Sequence, residues 1–83
     1  MNTSLPINKM TEELILIYKE ATVAASKYPR MSSHHEAYAV ILEELDEYWD
    51  EVKKKSSKRD RFNLRLELIQ TAAMCLRTLH DLC

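Results

Sequence analysis

The chain has 83 residues, of which none is glycine and only two are proline. Strands and hairpins depend on such turn residues far more than helices do, so the composition excludes a β-rich fold and predicts one all-α domain over residues 1–83. The net charge of −1 gives no general attraction to nucleic acid or acidic lipid, and we expect neither as a partner.

The sequence also carries no sign of membrane insertion or export. No hydrophobic run approaches the roughly 20 residues that a membrane-spanning helix needs, and the N-terminus lacks a signal-peptide pattern. Cys75 and Cys83 lie eight residues apart on one predicted helix, too far apart to form a disulfide. These features predict a cytoplasmic protein.

The first predicted helix follows a frayed segment, residues 1–8, in which Pro6 marks irregular chain. It runs from about Lys9 or Thr11 to Lys27 or Tyr28, and Pro29 ends it because the residue before a proline avoids the α region. Its apolar positions recur at i, i+3, i+4 and i+7. They are Leu14, Ile15, Tyr18, Ala21, Thr22 and Ala25.

The second helix is predicted to begin at a capping box, residues 33–36, which read Ser-His-His-Glu. It continues to about Lys55, where a short polar turn, residues 55–58, follows. Its apolar stripe consists of Ile41, Leu45, Tyr48 and Val52.

The third helix is predicted to start at Ser57 or Asp60 and to reach about Asp81, antiparallel to the second because the connection is short. It carries two apolar stripes on nearly opposite sides. One consists of Leu64, Leu68, Thr71, Cys75 and Leu79, and the other of Phe62, Leu66, Ile69, Ala73 and Leu76. A helix that is apolar on two faces is buried on both, so we expect a three-helix bundle completed by association into a homo-oligomer, a dimer or tetramer.

Four polar residues lie beside the apolar stripes of the second and third helices. With about 100° of rotation per residue, Glu44 and Glu47 flank one stripe, and Glu67 and Gln70 flank the other. If the stripes pack together, three carboxylates and an amide converge. Carboxylates beside an apolar core repel one another unless a cation lies between them. Oxygen ligands of this kind favour Mg²⁺ or Mn²⁺.

These acidic residues also carry a resemblance to a known family. Residues 43–47 read Glu-Glu-Leu-Asp-Glu, and residues 67–70 read Glu-Leu-Ile-Gln. Together they resemble the Glu-Glu-x-x-Glu … Glu-x-x-Asp signature of the MazG-like all-α nucleoside triphosphate pyrophosphohydrolases. The flanking residues 35–42 and 70–74 are similar to short, phage- or prophage-associated members, and the likeness covers about residues 10–82.

The resemblance implies a magnesium-dependent enzyme that clears nucleotide pools by hydrolysing a nucleoside or deoxynucleoside triphosphate to the monophosphate and pyrophosphate. Glu44, Glu47 and Glu67 would be its catalytic metal ligands, and Gln70 would take the fourth ligand position. Gln70 departs from the pattern, because its amide replaces the expected aspartate and brings no charge. The alternative function is a non-catalytic helical interaction module, or a degenerate relative that oligomerises without turnover.

Two groups of residues are candidates for contacting the substrate. The candidates for phosphate binding are Arg77, Arg61, Arg65 and Lys55. The candidates for stacking on the base are Tyr18 and Trp49. The competing interpretation is that the lysines near the helix end only favour solubility, and that the aromatic residues belong to a core or interface. The sequence contains no Gly-rich phosphate loop and no Cys/His metal cluster.

Overall fold

The computed structural model describes residues 4–83, which form three α-helices and one short 3₁₀ turn, with no strand in that range. The α-helices are α1 (Ile7–Lys27), α2 (His34–Val52) and α3 (Arg61–Leu82), and the 3₁₀ turn is Ser56–Lys58. The predicted all-α class and the three main helices are confirmed. Residues 1–3 of the segment predicted to be frayed lie outside the described residues.

Both ends of α1 are set by prolines. Pro6 is extended (φ −73°, ψ 99°) and its carbonyl accepts a hydrogen bond from the Lys9 amide at 3.0 Å. The helix therefore begins at Ile7, two residues before the predicted Lys9, because proline is well tolerated at a helix start. At the other end Tyr28 is extended (φ −127°, ψ 148°), as the residue before Pro29 is expected to be.

The start of α2 contains half of the predicted capping box. The Ser33 hydroxyl oxygen accepts from the Glu36 amide at 3.1 Å. The Glu36 carboxylate does not return to Ser33; it accepts instead from the Ser32 amide at 2.9 Å and the Ser32 hydroxyl at 3.1 Å. The helix ends at Val52, not Lys55, and the Arg59 side chain donates to the Val52 carbonyl at 2.8 Å, which satisfies one terminal acceptor.

Asp60 is the N-cap of α3, whereas Ser57 lies inside the 3₁₀ turn. The Asp60 carboxylate accepts from the amides of Phe62 and Asn63, at 2.8 and 3.3 Å. The Asp60 amide in turn donates to the carboxylate of Glu51 at 2.9 Å. The connection between α2 and α3 is thus fixed by side-chain hydrogen bonds at both ends of the turn.

The third helix packs against both of the others. It runs antiparallel to α2, because Glu51 bonds Asp60 at one end while the Met31 amide donates to the Asp81 carboxylate at 2.9 Å at the other. It runs parallel to α1, since Arg65 pairs with Glu13 at 3.0 Å near both helix starts. This is the predicted bundle arrangement, with α3 as the shared helix.

The core of the single chain is made of small or flexible side chains. Its buried members are Ala21, Ala24, Met31, Ala37, Ala73 and Met74. Alanine allows helix backbones to approach closely but buries little apolar area. No large side chain is completely buried within the described residues.

The helices are rotated relative to the prediction, so several predicted core positions are exposed. On α1, Leu14 and Tyr18 are 49% and 62% exposed, while the predicted Ala21 is buried together with Ala24, which the predicted stripe did not include. On α3, the stripe predicted to pack against the second helix is largely exposed, with Leu79 at 61%. The prediction failed because alanines contribute weakly to an apolar pattern, although they permit the closest packing.

A third exposed stripe runs along α2, at positions spaced by four, three and four residues. It consists of Tyr38, Leu42, Leu45 and Trp49. This spacing places all four side chains on one face of the helix. Within residues 4–83, no helix combines the length and the apolar character that crossing a membrane requires.

Candidate metal centre

The three predicted carboxylate ligands meet between α2 and α3. Glu44 and Glu47 lie one turn apart on α2, and Glu67 projects from α3. Each residue offers one carboxylate oxygen, and these three oxygens lie within 4.8 Å of one another. The antiparallel packing of the two helices brings the three residues to the same level, so the sequence identified this convergence correctly. We call this group the carboxylate trio.

The surroundings of the carboxylate trio favour neutralisation of its negative charges. Burial, followed by the charges of Glu47 and Glu67, raises the pKa of Glu44 to about 7. The pKa of Glu67 is also raised, by burial first and then by the adjacent Glu47 carboxylate. Close carboxylates removed from water destabilise one another's charged forms. A proton or a cation bound between them would relieve this repulsion.

Two oxygens of the carboxylate trio have no hydrogen-bond partner in the part of the chain that the structure describes. The Oε2 atoms of Glu44 and Glu67 are buried and accept no hydrogen bond from any described residue. A buried acceptor without a partner costs roughly 1–3 kcal/mol, more when it is charged. Such an atom in a native structure calls for an explanation, and a bound ion is one of the standard ones.

Gln70 lies one turn beyond Glu67 on α3 and is half-buried. It lines a cavity next to Glu44. Its side-chain amide has no hydrogen-bond partner among the described residues. Its role as a metal ligand therefore stays a prediction, and Glu43, which is exposed, lies outside the carboxylate trio.

Glu51 follows Glu44 and Glu47 along the same edge of α2. Its carboxylate is occupied elsewhere, because it accepts from the Asp60 amide at 2.9 Å and from the Lys54 ammonium at 3.0 Å. These two donors hold the pKa of Glu51 below its usual range. Glu51 therefore fixes the α2–α3 connection.

A cavity of about 550 Å³ borders the carboxylate trio at Glu44. It extends between the helices to the connection between α1 and α2, where Tyr28 and Met31 form part of its wall. No periodic pattern in the sequence marks this connection as facing a cavity, and its only local signal is Pro29. The volume is in the range of small-molecule binding sites.

Arg77, a predicted phosphate ligand, also lines this cavity and is only 7% exposed. One of its guanidinium nitrogens, Nη2, donates to the Pro29 carbonyl at 3.0 Å. A second nitrogen, Nη1, approaches the Met74 sulfur at 3.8 Å. No carboxylate of the described residues lies within ion-pairing distance of Arg77.

The other predicted phosphate ligands lie elsewhere. Arg61 and Arg65 line a separate groove of about 720 Å³ between α1 and α3. Arg65 is already paired with Glu13 at 3.0 Å and Glu12 at 3.4 Å. Lys55 is exposed before the 3₁₀ turn. The structure thus does not bring these three cations together with Arg77 in one cavity.

The two predicted base-stacking residues lie on outer surfaces. Tyr18 on α1 is 62% exposed and Trp49 on α2 is 57% exposed. Neither lines the cavity next to Glu44. Trp49 belongs instead to the exposed stripe of α2, with Leu45 one turn before it.

Comparisons with protein-family models, curated proteins and solved structures gave no match for this chain. The resemblance to MazG-like proteins therefore depends on the motif residues themselves, at positions 43–47 and 67–70.

Proposed function

We propose that the protein is a metal-dependent nucleoside triphosphate pyrophosphohydrolase of the MazG-like kind. The observation that carries the proposal is the carboxylate trio, whose three oxygens lie within 4.8 Å of one another. Two of its residues, Glu44 and Glu67, also carry buried oxygens that have no hydrogen-bond partner within residues 4–83. The resemblance at positions 43–47 and 67–70 indicates the class of substrate, a nucleoside triphosphate.

The carboxylate trio fits Mg²⁺ or Mn²⁺ in the type and spacing of its donors. Octahedral Mg²⁺ holds oxygens at about 2.1 Å, so neighbouring ligand oxygens lie about 3 Å apart and opposite ones about 4 Å apart. Oxygens already within 4.8 Å need only small side-chain movements to reach this geometry. Gln70, one turn beyond Glu67, is the candidate for a neutral fourth ligand.

In the proposed reaction, water attacks the α-phosphorus in line, the bond to the α–β bridging oxygen breaks, and pyrophosphate leaves. A bound divalent cation supplies charge neutralisation and activation of water for this step. Glu44 and Glu67 hold the cation from the more buried side of the trio. Glu47, the exposed member, lies on the solvent side from which the triphosphate and the water arrive.

We also propose that the chain acts as a homo-oligomer, a dimer or tetramer. The support is the exposed apolar surface, which includes the α2 stripe with Trp49 at 57% exposure and Leu79 on α3 at 61%. Apolar patches larger than a few hundred Å² are rare on monomeric proteins. The core of the single chain is correspondingly poor in large apolar side chains, which favours further burial by association.

A second candidate function is a helical interaction module without turnover. It is favoured by the same exposed stripes and by Gln70, since an amide contributes no negative charge to a metal site. The two candidates differ in whether the carboxylate trio supports hydrolysis.

The deciding experiment is a screen of standard and deoxynucleoside triphosphates with Mg²⁺ or Mn²⁺, using the native chain and Gln70→Asp. The proposal predicts release of pyrophosphate and nucleoside monophosphate, which Glu47→Gln stops. If Gln70 has weakened the site, Gln70→Asp increases metal affinity and turnover by adding a fourth carboxylate. No hydrolysis by either protein, together with no metal-dependent nucleotide binding, would favour the interaction module.

A further inference from the structure

The groove of about 720 Å³ between α1 and α3 has an apolar lining that remains accessible to solvent. Its apolar lining residues are Ile17, Phe62, Leu64, Leu68, Ile69 and Ala72. Two arginines, Arg61 and Arg65, also line it. Arg65 is paired with carboxylates of α1, whereas Arg61 forms no ion pair with any described residue. This α1–α3 groove therefore combines an apolar floor with an available positive charge.

The α2 stripe has the complementary character. Its four side chains are between 39% and 67% exposed. The helix around it contains seven aspartates and glutamates and no lysine or arginine. One of these carboxylates, that of the exposed Asp46, lies one turn after Leu42 at the edge of the stripe. Asp46 forms no ion pair within residues 4–83, so the stripe is an apolar helix face beside an available negative charge.

The two surfaces also match in length. The stripe extends from Tyr38 to Trp49 along α2, and the α1–α3 groove extends from Arg61 to Ala72 along α3. In both cases the ends are eleven residues apart, which is about 16.5 Å at 1.5 Å per residue. An amphipathic helix that lays its apolar face into an apolar groove is a common mode of recognition.

The stripe and the groove of one chain cannot meet each other. Arg65 lines the groove, and Glu67, two residues later, joins the carboxylates of α2. Two residues correspond to about 200° of rotation, so these side chains project from nearly opposite sides of α3. The groove therefore lies on the side of α3 away from α2, and a helix that fills it belongs to another molecule.

Charge favours contact between a stripe and a groove over contact between two stripes. Two stripes facing each other would bring together two helices that carry only acidic charged residues besides histidine, and like charges oppose association. Residues 53–65, in contrast, contain seven lysines and arginines against one aspartate, and they include both arginines of the groove. Pairing of two stripes would also leave the groove uncovered.

We propose that the α1–α3 groove receives the α2 stripe of a second copy of this chain. The acidic C-terminal half of the stripe, with Asp46, lies at the end of the groove that carries Arg61. This contact specifies the interface of the proposed homo-oligomer and rests on that proposal. Because the two surfaces differ, every copy uses both, and a closed assembly is a ring of copies.

The test is complementation between two variants of the full chain, followed by sedimentation velocity at micromolar concentration in EDTA. Leu45→Glu places a charge in the stripe, and Leu68→Glu places one in the groove. Each variant alone should be mainly monomeric, with association weakened by about tenfold or more, because a charge would be buried without a partner. Their equimolar mixture contains one intact stripe and one intact groove. It should form a species of twice the 9.7 kDa mass of the chain.

The charges give a second readout in the same mixture. Asp46→Arg, added to the chain whose stripe is intact, should weaken the heterodimer a few-fold, and Arg61→Asp in the other chain should restore it. The matched control is Ala25→Glu, at an exposed position of α1 about two turns beyond Ile17, which should leave the native assembly unchanged.

Folding of each variant is checked by circular dichroism. If Leu68→Glu does not fold, Phe62→Glu replaces it, because Phe62 lines the same groove and is 69% exposed.

Three results would overturn the inference. If the mixture stays monomeric while the native chain associates, the stripe and the groove are not partners. If Leu68→Glu assembles like the native chain and Leu45→Glu does not, the stripes pair with each other and the groove has another occupant. A monomeric native chain would refute the proposed homo-oligomer together with this contact. None of these measurements involves metal or nucleotide, so each outcome is separate from success or failure of the proposed hydrolysis.

Discussion

Glu44 on α2 and Glu67 on α3 face each other across the bundle, each with its Oε2 atom buried and without a hydrogen-bond partner among the described residues. With the adjacent Glu47, they concentrate three carboxylates in a space where their oxygens lie within 4.8 Å. A fold that needed only stability would gain by replacing such a group with apolar residues of similar size. The cost of the arrangement is the physical reason to look for a bound cation.

The first prediction concerns stability against pH without metal. The pKa of Glu44 is raised from 4.5 to about 7, so the folded chain binds this proton more tightly than the unfolded chain. Between these two pH values the folded state holds more protons, and the free energy of unfolding falls as pH rises. Urea unfolding in EDTA, repeated at several pH values across this range, measures how the free energy of unfolding changes with pH.

Glu44→Gln should reduce this pH dependence and leave a smaller slope from Glu67, whose pKa is also raised, whereas Glu43→Gln, at an exposed neighbour outside the carboxylate trio, should retain it in full. Glu51 and Asp81 do not confuse the measurement. Their pKa values are lowered, so their contribution is lost only at pH below the usual carboxyl range. If the free energy of unfolding of Glu44→Gln depended on pH as it does in the native chain, the raised pKa of Glu44 could not be the cause of that dependence.

The second prediction concerns association through the α2 stripe. Leu45 is 45% exposed in the single chain and lies between Leu42 and Trp49 on that stripe. Sedimentation at micromolar concentration should show no major monomer for the native chain. Leu45→Glu should shift the equilibrium toward monomer, because it introduces a charge into an apolar interface.

The matched control for association is Ala39→Glu, at an exposed position on the same helix but off the stripe. It adds the same charge and should leave the native assembly intact. A native chain that sediments as a single 9.7 kDa species would refute the proposed oligomer and leave the exposed stripes unexplained.

The third prediction concerns the contact that joins the start of α2 to the end of α3. The Asp81 side chain is 7% exposed and its carboxylate accepts from the Met31 amide at 2.9 Å. Asp81→Ala leaves that amide without its acceptor, so thermal unfolding should occur several degrees lower. Asp50→Ala removes an exposed ion pair with Lys53 at 3.0 Å and should have little effect. Equal losses in the two variants would contradict this account.

The positions of the helices and several of their ends could be predicted from local chemistry. Pro29 ended α1 and Asp60 capped α3 because these signals act within a few residues. Where local signals near a helix end compete, the predicted end differed from the observed one by a few residues. Pro6 starts α1 at Ile7, and Arg59 stabilises the end of α2 at Val52.

The carboxylate trio could also be predicted, because Glu44, Glu47 and Glu67 are fixed to two antiparallel helices at compatible positions. The rotation of those helices about their own axes could not be predicted. Leu68 and Leu79 form a clear apolar stripe in the sequence, yet both are exposed, and α3 buries Ala73 of its second predicted stripe together with Met74 and Arg77. A pattern identifies apolar faces, but it does not say which face packs within the chain.

The cavity beside Glu44 was missed for a related reason. Tyr28 and Met31 belong to a connection between helices, where no periodicity marks a side chain as facing a cavity. Arg77 was predicted as a phosphate ligand, but the sequence gives neither its burial nor its hydrogen bond to the Pro29 carbonyl. Both depend on how the three helices pack.

The most direct test of the carboxylate trio is a titration with Mn²⁺ in which free ion is measured by electron paramagnetic resonance. We predict saturable binding to the native chain at neutral pH, loss of binding in Glu44→Gln and Glu67→Gln, and retention in Glu43→Gln, which removes an equal charge outside the carboxylate trio. Absence of binding to the native chain, or equal loss in all three variants, would contradict the account.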